Sequence, residues 1–274
     1  MRGFLVSKFL KWLVWAVVAL FLLNILGILA TVLVDSFATR WFATPLPQGF
    51  TLSWYTQAWS QFQLGDVLLF TGKIVGLVTL SALLLGVPCA YALARADFPG
   101  KRLVSLLIML PIIVPPVTYG IPLSSVMYRF GLVGTTTGVW LANLVPALPF
   151  VVLVLVPFIE QIDPRLESAA RVFGANVPRY FVHVLLPLLA PGILAAGLLL
   201  LIKTIGLFEL TYFTSGPGTQ TLVVALYYAV FGAGVRAPQA IDAMAIIYML
   251  VSLAIVVVAL QFVSPTEVVS RQRK

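Results

Sequence analysis

Apolar residues in this chain gather into long, unbroken runs separated by short polar connections. Six runs reach the roughly 20 residues that a helix needs to cross hydrocarbon: 11–34, 67–94, 103–126, 139–159, 185–213 and 239–263. Only helices and closed barrels satisfy every backbone group in lipid, and continuous rather than alternating apolar runs exclude barrel strands. The pattern predicts an all-α membrane protein with six transmembrane helices. Arg2, Lys8 and Lys11 precede the first run in the manner of a signal peptide. That run is longer than the roughly 7–15 residues of such a peptide, so it reads as a retained helix. The organisation expected is an N-terminal helix and outer loop over 1–66, a core of five helices over 67–263 with a cytoplasmic loop at 161–183, and a cytoplasmic tail at 264–274.

Two features inside the runs concern packing. Prolines such as Pro88, Pro111, Pro115, Pro116, Pro146, Pro149, Pro157 and Pro191 are tolerated where neighbouring helices satisfy the freed carbonyls. Gly72 and Gly76 form a small-xxx-small pair, expected to let a second helix approach closely. Trp54, Tyr55 and Trp59, in the polar segment 35–66, suit the headgroup layer.

Composition agrees with the pattern. Of 274 residues, 61% are hydrophobic and 9% charged, with a mean hydropathy of +1.07; a soluble domain has roughly 45–50% apolar and about 25% charged residues. The net charge of +8 is not a nucleic-acid footprint, because the basic residues cluster at the ends of apolar runs. Arg2, Lys8, Lys11, Arg95, Lys101, Arg102, Arg165, Arg171, Arg179, Arg271, Arg273 and Lys274 fall on one side of a six-helix topology, and Arg40, Arg129 and Arg236 on the other. That asymmetry places both termini in the cytoplasm. Cys89 is the single cysteine, which removes an intrachain disulfide and a cysteine-built metal site.

The loop with most information begins at Asp163. Asp163 suits an N-cap and Pro164 the first helical position. Leu166, Ala169, Ala170 and Phe173 then follow at helical spacing and give one apolar face, while Glu167 and Arg171 form an i, i+4 pair. Gly174 fits the left-handed position after a helix end, and Asn176 with Pro178 can start a second helix. Alanines occupy the middle of that face, where lipid insertion favours bulky side chains, which points to a protein partner.

The run Glu167-Ser-Ala-Ala-(x)3-Gly174, followed by Leu186-Pro187, resembles the EAA loop of the membrane subunits of bacterial ABC importers. Gly86-Val-Pro-Cys-Ala-Tyr-Ala-Leu-Ala-Arg95, Leu110-Pro-Ile-Ile-Val-Pro-Pro116 and Ser215-Gly-Pro-Gly-Thr-Gln-Thr221 extend the likeness from about Gly65 to Val263. Among type I importers these phrases most resemble the second permease of the spermidine/putrescine group, whose relatives also handle aminoalkylphosphonates, opines, thiamine or ferric iron. The resemblance implies a type I ABC importer permease (MetI-like) architecture in the bacterial inner membrane. It assigns ATPase coupling to Glu167, Ser168, Ala169, Ala170, Arg171, Phe173, Gly174 and Pro187, with Ser168 replacing the usual first alanine. It also implies a docking loop for a periplasmic or extracellular substrate-binding protein at Gly216, Pro217, Gly218 and Thr219. The partners implied are a second permease (a heterodimer by the family pattern, a homodimer as the alternative) and two copies of a cytoplasmic ATPase that carries ATP and Mg. No cofactor is expected on this chain.

The solute is not readable at this level. Polyamine-type permeases usually carry an Asp-Glu pair where this chain has Gly206 and Leu207. Intramembrane ionisable residues default to functional candidates, so Lys203, Thr204 and Glu209 are the expected pathway residues, and contact with a partner permease is the alternative for them. Lys73 suits snorkelling, and the lone His183 a surface or packing role. No P-loop, GxSxG or HExxH signature occurs, so the chain is not expected to be an enzyme. The rival reading is a self-contained secondary transporter or channel, which leaves the 163–181 loop unexplained.

Overall fold

A computed structural model describes residues 2–41, 44, 46–234 and 236–262. The expected tail at 264–274 lies outside the described residues. The chain divides into two compact units, one of residues 1–64 and 228–249, the other of residues 65–227 and 250–274.

The first unit contains α1 (Arg2–Asp35), α2 (Ser53–Gln61) and the beginning of α12 (Pro238–Phe262). Along Leu10–Asp35 the most apolar stretch of α1 has none of its side chains buried. The segment after α1 is held by its polar and aromatic groups. Ser36 and Tyr55 share a hydrogen bond of 2.9 Å, Trp54 Nε1 donates to the Ala38 carbonyl at 2.7 Å, and the Phe37 and Tyr55 rings lie 5.1 Å apart. Trp54 and Tyr55 thus tie the loop together, while Trp59 remains 52% exposed.

The second unit holds α3 (Leu64–Arg95), α4 (Lys101–Ile113), α5 (Pro116–Arg129), α6 (Thr136–Glu160), α7 (Arg165–Val172), α8 (Val177–Tyr180), α9 (Leu186–Ile205), α10 (Glu209–Thr214) and most of α11 (Leu222–Phe231). Its core is apolar, with Ile74, Val78, Ala82, Leu155, Ile159, Leu189 and Leu200 all but inaccessible. Among the described residues five helices are long and apolar enough to cross a membrane, and six if α4 and α5 count as one span.

Three expectations need correction. The run 103–126 is not one straight helix, because α4 and α5 meet at 96°. Val114 and Pro115 are both extended there, with ψ of 132°, as expected of residues that each precede a proline. The run 185–213 is likewise interrupted, ending as α9 at Ile205 and resuming as α10 at Glu209. Gly72 and Gly76 receive no neighbouring helix among the described residues, since a Cβ on either would meet nothing within 4 Å. The close approaches occur at Gly86, where a Cβ would stand 2.6 Å from a Val151 methyl, and at Gly192, where it would stand 2.9 Å from the Phe158 ring.

Candidate functional site

The 163–181 loop forms as a helix, a glycine turn and a second helix. An Asp163 carboxylate oxygen accepts from the Arg165 backbone N–H at 2.9 Å, and Pro164 and Arg165 carry the chain into α7. Gly174 has φ +82°, a left-handed conformation that side chains resist. Asn176 then caps α8 by accepting from the Arg179 N–H at 3.0 Å. Glu167 and Arg171 pair at 2.7 Å. None of α7 is buried. Val172 and Phe173 at its end are 85% and 90% exposed, an unusual state for a phenylalanine in a folded chain. Ser168 and Ala169 are also exposed, and Ala170 is half-buried.

Between α8 and α9 the chain makes one π-helical turn over Phe181–Leu185, a feature common at functional sites and invisible to a helical-period reading. Pro187 lies in the first turn of α9 and is exposed. His183 Nδ1 sits 3.1 Å from the Arg179 carbonyl on the exposed side.

Two groups outside the loop meet it. Arg95, the last residue of α3, directs Nη2 to the Ile159 carbonyl at 3.0 Å and to the Ile162 carbonyl. Tyr91, one turn earlier, packs its ring 6.4 Å from that of Tyr180 and 5.8 Å from that of Phe181. A cavity of about 610 Å³ opens between the end of α3 and α7, lined by Tyr91, Arg95, Glu167, Ser168 and Arg171 among others. Sequence reasoning took Arg95 as a topology signal and both residues as part of the Gly86–Arg95 phrase, and gave neither a role at the loop.

The expected pathway residues surround the break between α9 and α10. Lys203 Nζ lies 4.5 Å from the centre of the Phe150 ring, a cation–π contact. Thr204 is buried and donates to the Leu200 carbonyl at 2.7 Å. Glu209 opens α10. Beside the break, Phe208, Tyr212 and Tyr227 form a cluster with ring centres 5.1–5.2 Å apart. Asn143 of α6 donates to Thr211 Oγ1 of α10 at 2.9 Å in a buried setting. Neither the cluster nor this pair was foreseen, because each joins residues distant in the chain.

The 216–219 segment is a tight turn. Thr219 N–H donates to the Gly216 carbonyl at 3.0 Å, the Gly216 N–H donates to Thr219 Oγ1 at 2.8 Å, and Gly218 has φ +79°. Gly216 packs on Gly134, so closely that a Cβ would stand 3.0 Å from the Gly134 Cα. Pro217 and Gly218 are exposed at the tip.

Comparison with known proteins supplies the wider frame. A family model described as "binding-protein-dependent transport system inner membrane component" matches residues 82–267. The molybdenum transport system permease protein ModB of Escherichia coli K12 is 33% identical over 178 residues, which cover 59% of this chain and 78% of that protein. The sulfoquinovosyl glycerol transport system permease protein SmoH of Agrobacterium fabrum is 34% identical over 222 residues, 80% of this chain and 76% of that one. The diacetylchitobiose uptake system permease protein NgcG of Streptomyces coelicolor is 32% identical over 153 residues, and the match spans about half (51%) of its length. In overall fold the chain is similar to a bacterial ABC transporter involved in import of the acidic polysaccharide alginate, with a TM-score of 0.75 at 18% identity over 93% of this chain and 96% of that one. On the matched family model and these relatives, the chain belongs to the family of binding-protein-dependent transport system inner membrane components.

Proposed function

We propose that this chain is the permease subunit of an ATP-driven importer in which α7 and α8 dock on a partner ATPase. The observation that carries the reading is the exposed α7, which ends on the 90% exposed Phe173 and turns back at Gly174. An apolar helix end left in water on a membrane protein suits a protein surface that will cover it. Closure of two ATPase subunits on ATP would move this loop, and the attached helices would rock between inward- and outward-facing states. A second permease supplies the other wall of the pathway. The turn at 216–219 and the polar segment after α1 receive the solute-loaded binding protein.

The solute is small and polar. Polyamine, opine, aminoalkylphosphonate, thiamine and iron are the candidates that the sequence resemblance brings. Gly206 and Leu207 stand where polyamine permeases carry carboxylates, and the cation nearest the break is Lys203 on Phe150. Within this proposal, both features favour a neutral or anionic solute over a polyamine.

Purification from detergent tests the reading. The ATPase should co-elute with the native complex, and Gly174→Asp should lose uptake, because it sets a charged side chain at the φ +82° turn beside the apolar helix end that the ATPase would cover. An ATPase-free complex, or normal uptake by Gly174→Asp, would sink the proposal. Mass spectrometry of the purified binding protein identifies the solute.

A further inference from the structure

We infer that Arg95 and Tyr91 of α3 are positioning residues that carry movement of the 163–181 loop into the membrane helices. The inference rests on the proposed role of that loop and adds the route by which its motion leaves it. A loop joined to the rest of the chain only at its two ends could tilt on those ends without moving α3. Here it is braced at two further points, and both belong to the last turn of α3.

The first brace is at the entrance. Arg95 Nη2 donates to the carbonyls of Ile159 and Ile162, which are backbone acceptors left over at the C-terminal end of α6. A guanidinium is always charged and presents its donors in a fixed plane, so it holds both carbonyls in one geometry. The second brace is at the exit, where the Tyr91 ring meets Phe181 edge-on at 5.8 Å and Tyr180 at a tilt at 6.4 Å. Tyr180 is almost wholly buried and Phe181 begins the π-helical turn.

The cavity of about 610 Å³ opens beside these contacts, between the last turn of α3 and α7. With open space beside it, α7 can move as a body only while something keeps it linked to α3, and the contacts at Tyr91 and Arg95 are that linkage. The residues in α3 that follow upward, Leu93, Ala90, Val87, Ala82, Val78 and Ile74, belong to the buried core. Movement delivered at the last turn of α3 therefore reaches the packed interior of the same unit directly.

The test uses the assembled transporter in nanodiscs, with its partner permease, ATPase subunits and binding protein. Cys89→Ala removes the single native cysteine, and Pro217→Cys places a reporter at the exposed tip of the 216–219 turn. Maleimide labelling of that reporter is compared between nucleotide-free and ATP–vanadate-trapped complexes. In the reporter background labelling changes on trapping. In Arg95→Met, and separately in Tyr91→Leu, the ATPase still co-purifies and basal ATP hydrolysis continues, but the labelling change is lost. Arg95→Lys, which keeps the charge but not the paired geometry, loses part of it, and Tyr91→Phe, which keeps the ring, retains it. A labelling change of full size in both Arg95→Met and Tyr91→Leu overturns the inference. So does loss of the ATPase from either variant, because the residue then shapes the docking surface instead of transmitting from it. An ATPase that fails to co-purify even with the reporter background overturns the docking role of the loop itself, a separate result.

Discussion

Gly86 and Gly72 look alike along the chain, each a small residue within a long apolar run of α3, yet their surroundings are opposite. A Cβ at Gly86 would meet a Val151 methyl at 2.6 Å, whereas one at Gly72 would meet nothing. Gly86→Ala should therefore overpack the α3–α6 contact and destabilise the protein by about 1–3 kcal/mol. Gly72→Ala should be neutral or slightly stabilising, since alanine is the better helix former. Thermal unfolding in detergent compares the two, and equal melting temperatures would contradict this packing. Thr211→Val is the polar counterpart. It removes the hydroxyl that Asn143 donates to and should cost about 1 kcal/mol by the same measurement. These contrasts mark the limit of what could be read from the chain. Asp163, Gly174 and Asn176 were legible because each acts on backbone within a few residues of itself. Gly86 against Val151 and Asn143 against Thr211 depend on how separate helices register, and no local pattern encodes that register.

Among the elements, the bend between α4 and α5 shows both how far hydropathy reaches and where it stops. The run 103–126 is apolar throughout, so a sliding reading joins it into one span. The prolines decide otherwise, because Val114 and Pro115 each precede a proline and are held extended. Replacing both Pro115 and Pro116 by alanine removes that exclusion. Spin labels at positions 107 and 124 should then move apart, toward the ~25 Å of a straight helix of that length. An unchanged distance would mean that tertiary packing, not proline, holds the 96° bend. The interruption after Ile205 has no proline in it, only Gly206, and was not foreseen. The π-helical turn at Phe181–Leu185 was equally hidden, since a single widened turn leaves the apolar spacing almost unchanged.

At the scale of the molecule, the charge distribution carries a prediction that the fold alone does not. Lysines and arginines concentrate at one set of helix ends, so both termini should lie in the cytoplasm. Green fluorescent protein fused after Lys274 should fluoresce, and alkaline phosphatase fused after Gln48 should be active; the reverse pattern would invert the topology. The class of fold was plain from the runs, whereas the two compact units were not, because the second half of the division returns at residue 228. That return joins the start of α12 to the N-terminal helices, a link made by folding and not by sequence order. One helix stands apart from the rest in what constrains it. The most apolar stretch of α1 buries none of its side chains within this chain, and the family model takes up the match only from residue 82. The side chains of that stretch therefore face lipid or the second permease of the proposed assembly. Exchanging α1 for an unrelated apolar helix of equal length should separate the two, because only an interface would lose the co-purified second permease.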